Sequence, residues 1–327
     1  RYTAGADLGV IPYQPVSMNN RLALPNKVFE YTGAGIPFVA TDLPEIRRIV
    51  DSTGCGATYN PFDPEELATG VRSVLAEDGY SERRRNAERF GRENTWEQEQ
   101  EVLATELRRL SAGRMRTSGT EGDIAQQNTR ADRPHLRERD GGRHTGLRIA
   151  MVVHNSVRHD ARVLKSAASL KARGHDVRIF GLTPEETEDF VLPNGVPVHL
   201  QRWDKTLVRS RMTELGLPAG KKNAIRTSFR LQGETIFGAV RALFHPDAIH
   251  IHDHLALTAA AKYKEAFGVP IVWDAHEIYE DLASLEEVRA AINSQIIREN
   301  VPYIDGFITL NQSIADFYRG KYPGLPE

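Results

Sequence analysis

Leu24–Glu45 reads LPNKVFEYTGAGIPFVATDLPE, and its order of residue types is that of helix, tight turn and buried strand. Pro25 suits a first helical position, where its missing N–H has no helical partner to lose. Val28, Phe29 and Thr32 recur at helical spacing, and Gly35 followed by Pro37 supplies a helix stop. Phe38–Thr41 is a short apolar run of strand type, and Asp42-Leu43-Pro44 turns into a second helix carrying Ile46, Ile49 and Val50. Leu8–Ile11 is a further strand, so the order is β-α-β-α, which implies a parallel sheet covered by helices. In such sheets ligands sit at the carboxyl ends of the strands, where helix N-termini offer free N–H groups to phosphates. Asn26 and Lys27 fall in a helical first turn, with Glu30 one turn later. A carboxylate there can accept hydrogen bonds from ribose hydroxyls while the amides and Lys27 face a diphosphate. The same residues also fit an ordinary surface helix with Glu30 solvated.

Pro25-Asn26-Lys27-Val28-Phe29-Glu30-Tyr31, then Gly35-Ile36-Pro37-Phe38-Val39-Ala40, resembles the donor-site signature of glycosyltransferase family 4. The resemblance implies the GT-B fold, two Rossmann-like domains facing each other across a cleft. Many members carry two glutamates with seven residues between them. Glu30 matches the second, which implies a hold on the ribose of a nucleotide sugar, whereas the first falls on Leu22. A branch of the family reads N-x-x-x-x-P-N-K-x-F-E-Y instead, and Asn20 to Tyr31 match it. The donor-binding residues implied are Asn26, Lys27, Glu30 and Gly35.

The chain has 327 residues, 40% of them hydrophobic, enough for two ordinary cores. A formal net charge of −2 argues against nucleic acid as a partner, since duplex binders carry a strong basic excess. The single cysteine, Cys55, excludes internal disulfides and cysteine-based zinc sites and suits a reducing cytoplasm. No run of about eighteen apolar residues is present to span a membrane. The opening at Arg1, almost directly on a strand, is what a piece of a longer polypeptide shows.

Residues 1–110 form a first unit. Asp51–Asn60 reads as a turn-rich connection. Asp63-Pro64-Glu65-Glu66 is a helix start, with Asp as cap, Pro at the first position and acids in the first turn. Leu67, Val71, Val74 and Leu75 supply that helix's apolar stripe, a charged helix follows over Ser81–Arg92, and a closing helix ends at Leu110. Residues 111–146 are rich in Gly, Arg, Asp, Gln and Thr and hold too little apolar surface to offset their chain entropy. This stretch reads as a disordered linker. Residues 147–327 begin afresh: strand Arg148–Val153, polar loop His154–Asp160, helix Ala161–Arg173 ended by Gly174, and strand Asp176–Gly181. Further strands are expected at Val196–Gln201, Asp247–His252, Pro270–Trp273 and Gly306–Leu310, with helices at Leu255–Phe267 and Gln312–Gly320. This unit resembles the N-terminal, acceptor-side domain of family 4, through Val153-His154-Asn155 to Ala161–Lys165, Arg173–Val177 and Asp274-Ala275-His276-Glu277. The fold class is therefore α/β, Rossmann-like parallel sheets of GT-B type in two units. The donor-type half precedes the acceptor-type half, as in a tandem polypeptide holding the end of one module and the start of another.

Asp274-Ala275-His276-Glu277 follows a buried strand directly, so its side chains emerge at the carboxyl edge of the sheet. The resemblance implies that His276 lines the cleft near the transferred sugar, with Glu277 either orienting its imidazole or starting the next helix. For a retaining transferase of this fold, helix dipoles and basic groups stabilise the departing diphosphate, and no metal is required. The resemblance also implies that the loop after the first strand of the unit closes over donor and acceptor, through His154, Asn155, His159, Asp160 and Arg162. For Asp160 a helix cap, with Arg162 a solvated neighbour, fits equally well. His250-Ile251-His252-Asp253-His254 invites comparison with the metallo-hydrolase pattern H-x-H-x-D-H, but the spacing is one residue short. Alternation places His250 and His252 on one strand face, where neutral core histidines are common, and leaves Asp253 and His254 as cleft residues. No metal is expected. Arg202–Arg230 mixes Lys205, Arg209, Arg211, Lys221, Lys222 and Arg226 with Trp203, Leu207, Val208, Met212, Leu215 and Phe229. A solvated helix pair is the expectation, and peripheral contact with an anionic membrane is the alternative.

The function expected is sugar transfer from a UDP- or GDP-linked donor, with retention, to a glycan, lipid-linked or small-molecule acceptor. No cofactor is expected beyond that co-substrate, and the setting expected is cytoplasmic, at most peripheral at the inner membrane face. The alternative is a catalytically incomplete fragment that binds nucleotide or a partner chain.

Overall fold

A computed structural model describes residues 3–117 and 146–326. Spatial contacts divide the chain into two compact units. The first gathers Arg1–Glu99, Ala275–Gln295 and Ile308–Leu325, and the second consists mainly of Gln100–Asp274 and Ile296–Phe307.

The stretch quoted at the outset lies at the centre of the first unit. In chain order the elements up to residue 117 are β1 (Gly9–Ile11), α1 (Met18–Arg21), α2 (Lys27–Gly33), β2 (Phe38–Thr41), α3 (Pro44–Thr53), β3 (Gly56–Tyr59), α4 (Pro64–Leu75), α5 (Glu77–Glu93) and α6 (Trp96–Thr117), the last of which passes into the second unit at Gln100. The strands form a parallel sheet in the order β1-β2-β3, with Gly9 opposite Phe38 and Phe38 opposite Gly56. All four residues of β2 are buried because both faces are covered. Phe38 and Ala40 join Ile11, Val28, Leu43 and Ile46 on one side, while Val39 meets Val74 and Tyr59 on the other. A central parallel strand therefore reads as a continuous apolar run instead of an alternating one.

Helix α2 begins at Lys27 rather than at Pro25, whose carbonyl accepts a turn hydrogen bond from the Val28 N–H at 3.0 Å. It stops as expected, with Gly35 at φ +69°, the left-handed backbone that glycine adopts without a Cβ penalty. Asp63 caps α4 by accepting from the N–H groups of Glu65 and Glu66. Helices α2 and α5 approach closely at Gly91, where an added Cβ would lie 2.4 Å from the Thr32 carbonyl oxygen. Two features depart from the sequence reading. The turn-rich connection over Asp51–Asn60 contains β3, whose Gly-Ala-Thr-Tyr carries little apolar signal and is extended because it pairs with β2. Helix α6 continues to Thr117, into the stretch read as linker, through helix-favouring Ala112, Arg114, Met115 and Arg116. Residues 118–145 of that linker lie outside the described residues.

The remaining elements are β4 (Arg148–Val152), α7 (Ala161–Ala172), β5 (Asp176–Thr183), β6 (Glu188–Val191), β7 (Pro197–Arg202), α8 (Leu207–Glu214), α9 (Lys221–Leu243), β8 (Ala248–His252), α10 (Leu257–Phe267), β9 (Ile271–Ala275), α11 (Glu287–Asn300), β10 (Gly306–Thr309) and α12 (Gln312–Lys321). They build a seven-stranded sheet in the order β10-β9-β8-β4-β5-β7-β6. The pairings β4–β5, β4–β8, β5–β7 and β8–β9 are parallel, and β6 joins β7 antiparallel. β6 is the second strand the sequence conceals: Glu-Asp-Phe-Val is an edge strand, alternately half-buried and exposed, with no apolar run to mark it. The strand order turns back on itself between β4 and β8. This is the topological switch point at which open α/β sheets bind ligands.

The second unit is tied together by side chains reaching backbone groups. The Asp305 carboxylate accepts from the Ile271 N–H at 2.8 Å and from Lys264 Nζ at 2.6 Å, linking the turn before β10 to β9 and α10. Trp273, fully buried, donates through Nε1 to the Asp253 carbonyl at 3.1 Å. The expected helix pair over 202–230 is present as α8 and α9, and α9 turns Phe229, Ile236, Phe237 and Val240 into the core. Leu207, Leu215 and Leu217 stay exposed. Among the described residues no helix is long and apolar enough to cross a membrane.

Candidate functional site

Two groups of site residues emerge, one in each unit. In the first, Asn26 and Lys27 stand exposed at the start of α2, with Glu30 exposed one turn on. Lys27 Nζ lies 5.9 Å from the centre of the Tyr31 ring one turn further on, and the N-terminus of a helix is the end whose macrodipole favours anions. Gly35 lies just past the opposite end of the helix, whose seven residues span about 10 Å at 1.5 Å per residue. There it lines an open depression together with Arg84, Arg85, Glu88 and Arg92.

The loop after β9 belongs to the same compact unit as α2. It carries His276 and Glu277, both half-buried. His276 Nδ1 lies 3.3 Å from the Tyr279 hydroxyl, with the two rings edge to face. Tyr279 is a neighbour that the sequence reading missed, although three-residue spacing across a tight turn is the signal that could have found it. Glu277 does not start a helix, since the next one begins only at Glu287. One hydroxyl pins this loop: buried Tyr318 Oη donates to the Glu277 carbonyl at 2.7 Å and accepts from the Tyr279 N–H at 3.2 Å. Residues just before the donor-type helix reach the same loop. Asn19 Oδ1 accepts from the Ile278 N–H at 2.8 Å, and the Met18 N–H donates to Asp281 Oδ2 at 3.1 Å.

In the second unit, the ends of β4, β8 and β9 bring together side chains that are far apart in sequence. His154 follows β4, and both of its ring nitrogens are enclosed. Burial pulls its pKa down to about 4, partly countered by the Asp253 carboxylate and reinforced by His254. Asp253 follows β8 with φ +69°, and buried His254 meets the Phe229 ring edge to face at 6.4 Å. Asn155 and Asp160 organise the loop itself. Asn155 Nδ2 donates to Asp160 Oδ2 at 3.1 Å, and Asp160 Oδ1 accepts from the Val163 N–H at 3.3 Å as the cap of α7. Asp160 thus takes the capping role left open by the sequence. Arg162 is not a solvated neighbour, because its Nη1 is enclosed 3.8 Å from Asp274 Oδ1.

Asp274 joins the two strand histidines. Register places it beside His252 across β8 and β9, and His250 lies two residues earlier on the same face. Asp274 Oδ2 is 3.3 Å from His252 Nδ1 and 3.6 Å from His250 Nε2. Burial alone would raise the Asp274 pKa, but the two adjoining imidazoles hold it well below the usual carboxylate range. Burial pulls His250 down to about 4, with His252 adding to the effect and Asp274 opposing it.

Comparison with known proteins accords with this architecture. Residues 159–325 match the glycosyl transferase 4-like domain, and residues 1–77 match glycosyl transferases group 1. The first match covers just over half of the sequence, and the chain belongs to the glycosyl transferase 4-like family. No curated protein matches it. Among solved structures, sucrose-phosphate synthase from Thermosynechococcus elongatus is 14% identical at a TM-score of 0.40, covering 54% of this chain and 45% of that one. An alpha,alpha-trehalose-phosphate synthase (UDP-forming) from Burkholderia vietnamiensis is 14% identical at 0.37, covering 54% and 46%. The chain thus spans less than half the length of either protein, and similarity at this level assigns no substrate.

Proposed function

We propose that this chain is the working part of a retaining glycosyltransferase that takes a UDP- or GDP-linked sugar at α2 and delivers it to an acceptor hydroxyl beside His276. Membership of the glycosyl transferase 4-like family supports sugar transfer as the class of reaction. The observation that carries the reading further is that the donor-type helix and the His276 loop lie in one compact unit, joined through Asn19 and Ile278. In this reading the α2 amides and Lys27 hold the diphosphate, and Glu30 accepts from the ribose hydroxyls. His276, oriented by Tyr279, stands at the sugar, and the charge of the leaving diphosphate is met by fixed dipoles instead of a bound cofactor. Residues 1–110 serve as the donor-side part and 147–327 as the acceptor-side part, in a cytoplasmic setting.

Calorimetric titration with UDP and with GDP, beside a Glu30→Ala variant, tests this. Binding of one nucleotide that weakens about tenfold in the variant is the expected result, in line with the loss of one or two charge-assisted hydrogen bonds. No binding of either nucleotide would leave the incomplete-fragment reading standing. Exposed Leu207, Leu215 and Leu217 beside Lys205, Arg209 and Arg211 favour peripheral contact with an anionic membrane that carries the acceptor. Co-sedimentation with phosphatidylserine vesicles but not with phosphatidylcholine is expected, and equal recovery with both removes that element.

A further inference from the structure

His250, His252 and Asp274 are all buried, and one ligand atom of each lies within 4.8 Å of the others. Among the described residues, neither ring nitrogen of His250 or of His252 has a hydrogen-bond partner of acceptable geometry. Buried imidazoles that make no hydrogen bond are costly, and natural proteins seldom leave them so without an ion or a water to satisfy them. The separations are informative in themselves. Asp274 Oδ2 lies 3.3 Å from His252 Nδ1 and 3.6 Å from His250 Nε2, beyond the usual range of about 2.7–3.2 Å for such a hydrogen bond. These two separations match edges of a tetrahedron around a metal ion, and the three ligand atoms all lie within 4.8 Å of one another. Ligand bonds of about 2.0–2.2 Å put neighbouring donor atoms about 3.3–3.6 Å apart.

We propose that His250, His252 and Asp274 form a binding site for a divalent d-block cation, with Zn²⁺ as the best fit. Two imidazoles and one carboxylate are the borderline donors that such an ion takes, and three protein ligands leave a fourth position for water or another ligand. The carboxylate divides its two oxygens: Oδ2 faces the histidines, while Oδ1 faces Arg162 Nη1 at 3.8 Å. Arg162 is thereby an outer partner that fixes the carboxylate's orientation, the role such partners commonly play around metal ligands. Its charge lowers the affinity below that of a closed four-ligand centre. This reverses the expectation of no metal. The sequence comparison looked for the remaining ligands at Asp253 and His254, on the same stretch of chain, whereas the third ligand comes from the next strand. The inference does not depend on the transferase reading.

The test is metal analysis of the purified full chain after equilibration with Zn²⁺ and gel filtration, and the absorption spectrum of the Co²⁺-loaded protein. One equivalent of zinc per chain and intense tetrahedral cobalt bands are expected. Asp274→Asn, which keeps shape and polarity, should weaken zinc binding at least tenfold, and His252→Ala should abolish the cobalt bands. His245→Asn, which alters an exposed histidine elsewhere, should change neither. Zinc retained equally by wild type and Asp274→Asn, or no retained zinc and no tetrahedral cobalt spectrum in the wild type, would overturn the proposal. If the variants do not fold, the wild-type stoichiometry and cobalt spectrum still decide it.

Discussion

The acid sensitivity of the second unit follows from His154. An imidazole with an ordinary pKa near 6.5 is held at about 4 in the folded chain, chiefly because its ring nitrogens are enclosed at the carboxyl end of β4. The groups facing it from β8 act in opposite senses, Asp253 favouring the charged ring and His254 opposing it. Because the folded pKa lies below the unfolded one, protonation favours unfolding. The contribution is fully present above pH 6.5 and is lost as pH falls from there towards 4. A gap of about 2.5 pH units is worth about 3 kcal/mol in full, of which about 2 kcal/mol is lost between pH 7 and pH 4.5. Urea unfolding with EDTA present, followed by tryptophan fluorescence, measures the loss; Trp203 and Trp273 both lie in this unit. The comparison is between wild type and His154→Gln, and the quantity read is each protein's change in stability between the two pH values. Wild type should lose about 2 kcal/mol more than the variant. An equal loss in both refutes the assignment of a neutral imidazole with enclosed ring nitrogens to His154, whatever the variant's absolute stability.

Tyr318→Phe removes the hydroxyl that bridges the Glu277 carbonyl and the Tyr279 N–H. It should cost roughly 1–3 kcal/mol and speed amide hydrogen exchange at Ile278 and Tyr279, and unchanged exchange there would show that the loop is held by other contacts. Asp305→Ala strips the acceptor from the Ile271 N–H and from Lys264, so a loss of roughly 1–3 kcal/mol in chemical denaturation is expected. A change within about 0.5 kcal/mol would mean that water takes over both contacts.

Much of the fold was legible because local and global signals agree along most of the chain. β2 announces itself as an apolar run between Pro37 and Asp42, and Gly35, Asp63 and Gly174 mark helix ends by chemistry that needs no tertiary context. β3 and β6 were not legible, since Gly56–Tyr59 and Glu188–Val191 are extended only because a neighbouring strand offers hydrogen bonds. The same limit governs the sites. Alternation alone sets His250 and His252 on one face, but Asp274 reaches them only through the pairing of β8 with β9, which sequence spacing does not encode. Arg162 and Tyr279 found their partners in the same way, through register and a turn.

The first compact unit is assembled from three separated stretches of chain, the last of them ending at Leu325. A single backbone cut between Thr117 and Gly146 would therefore not release a complete folding piece from either side. The N-terminal product would lack the segments that hydrogen-bond to Asn19 and Glu45, and the C-terminal product would leave the Ile278 and Ser313 amides without those acceptors. Fragment reassociation, more than linker chemistry, then governs whether such a nicked protein survives, and expressing either half by itself removes partners that the other half needs.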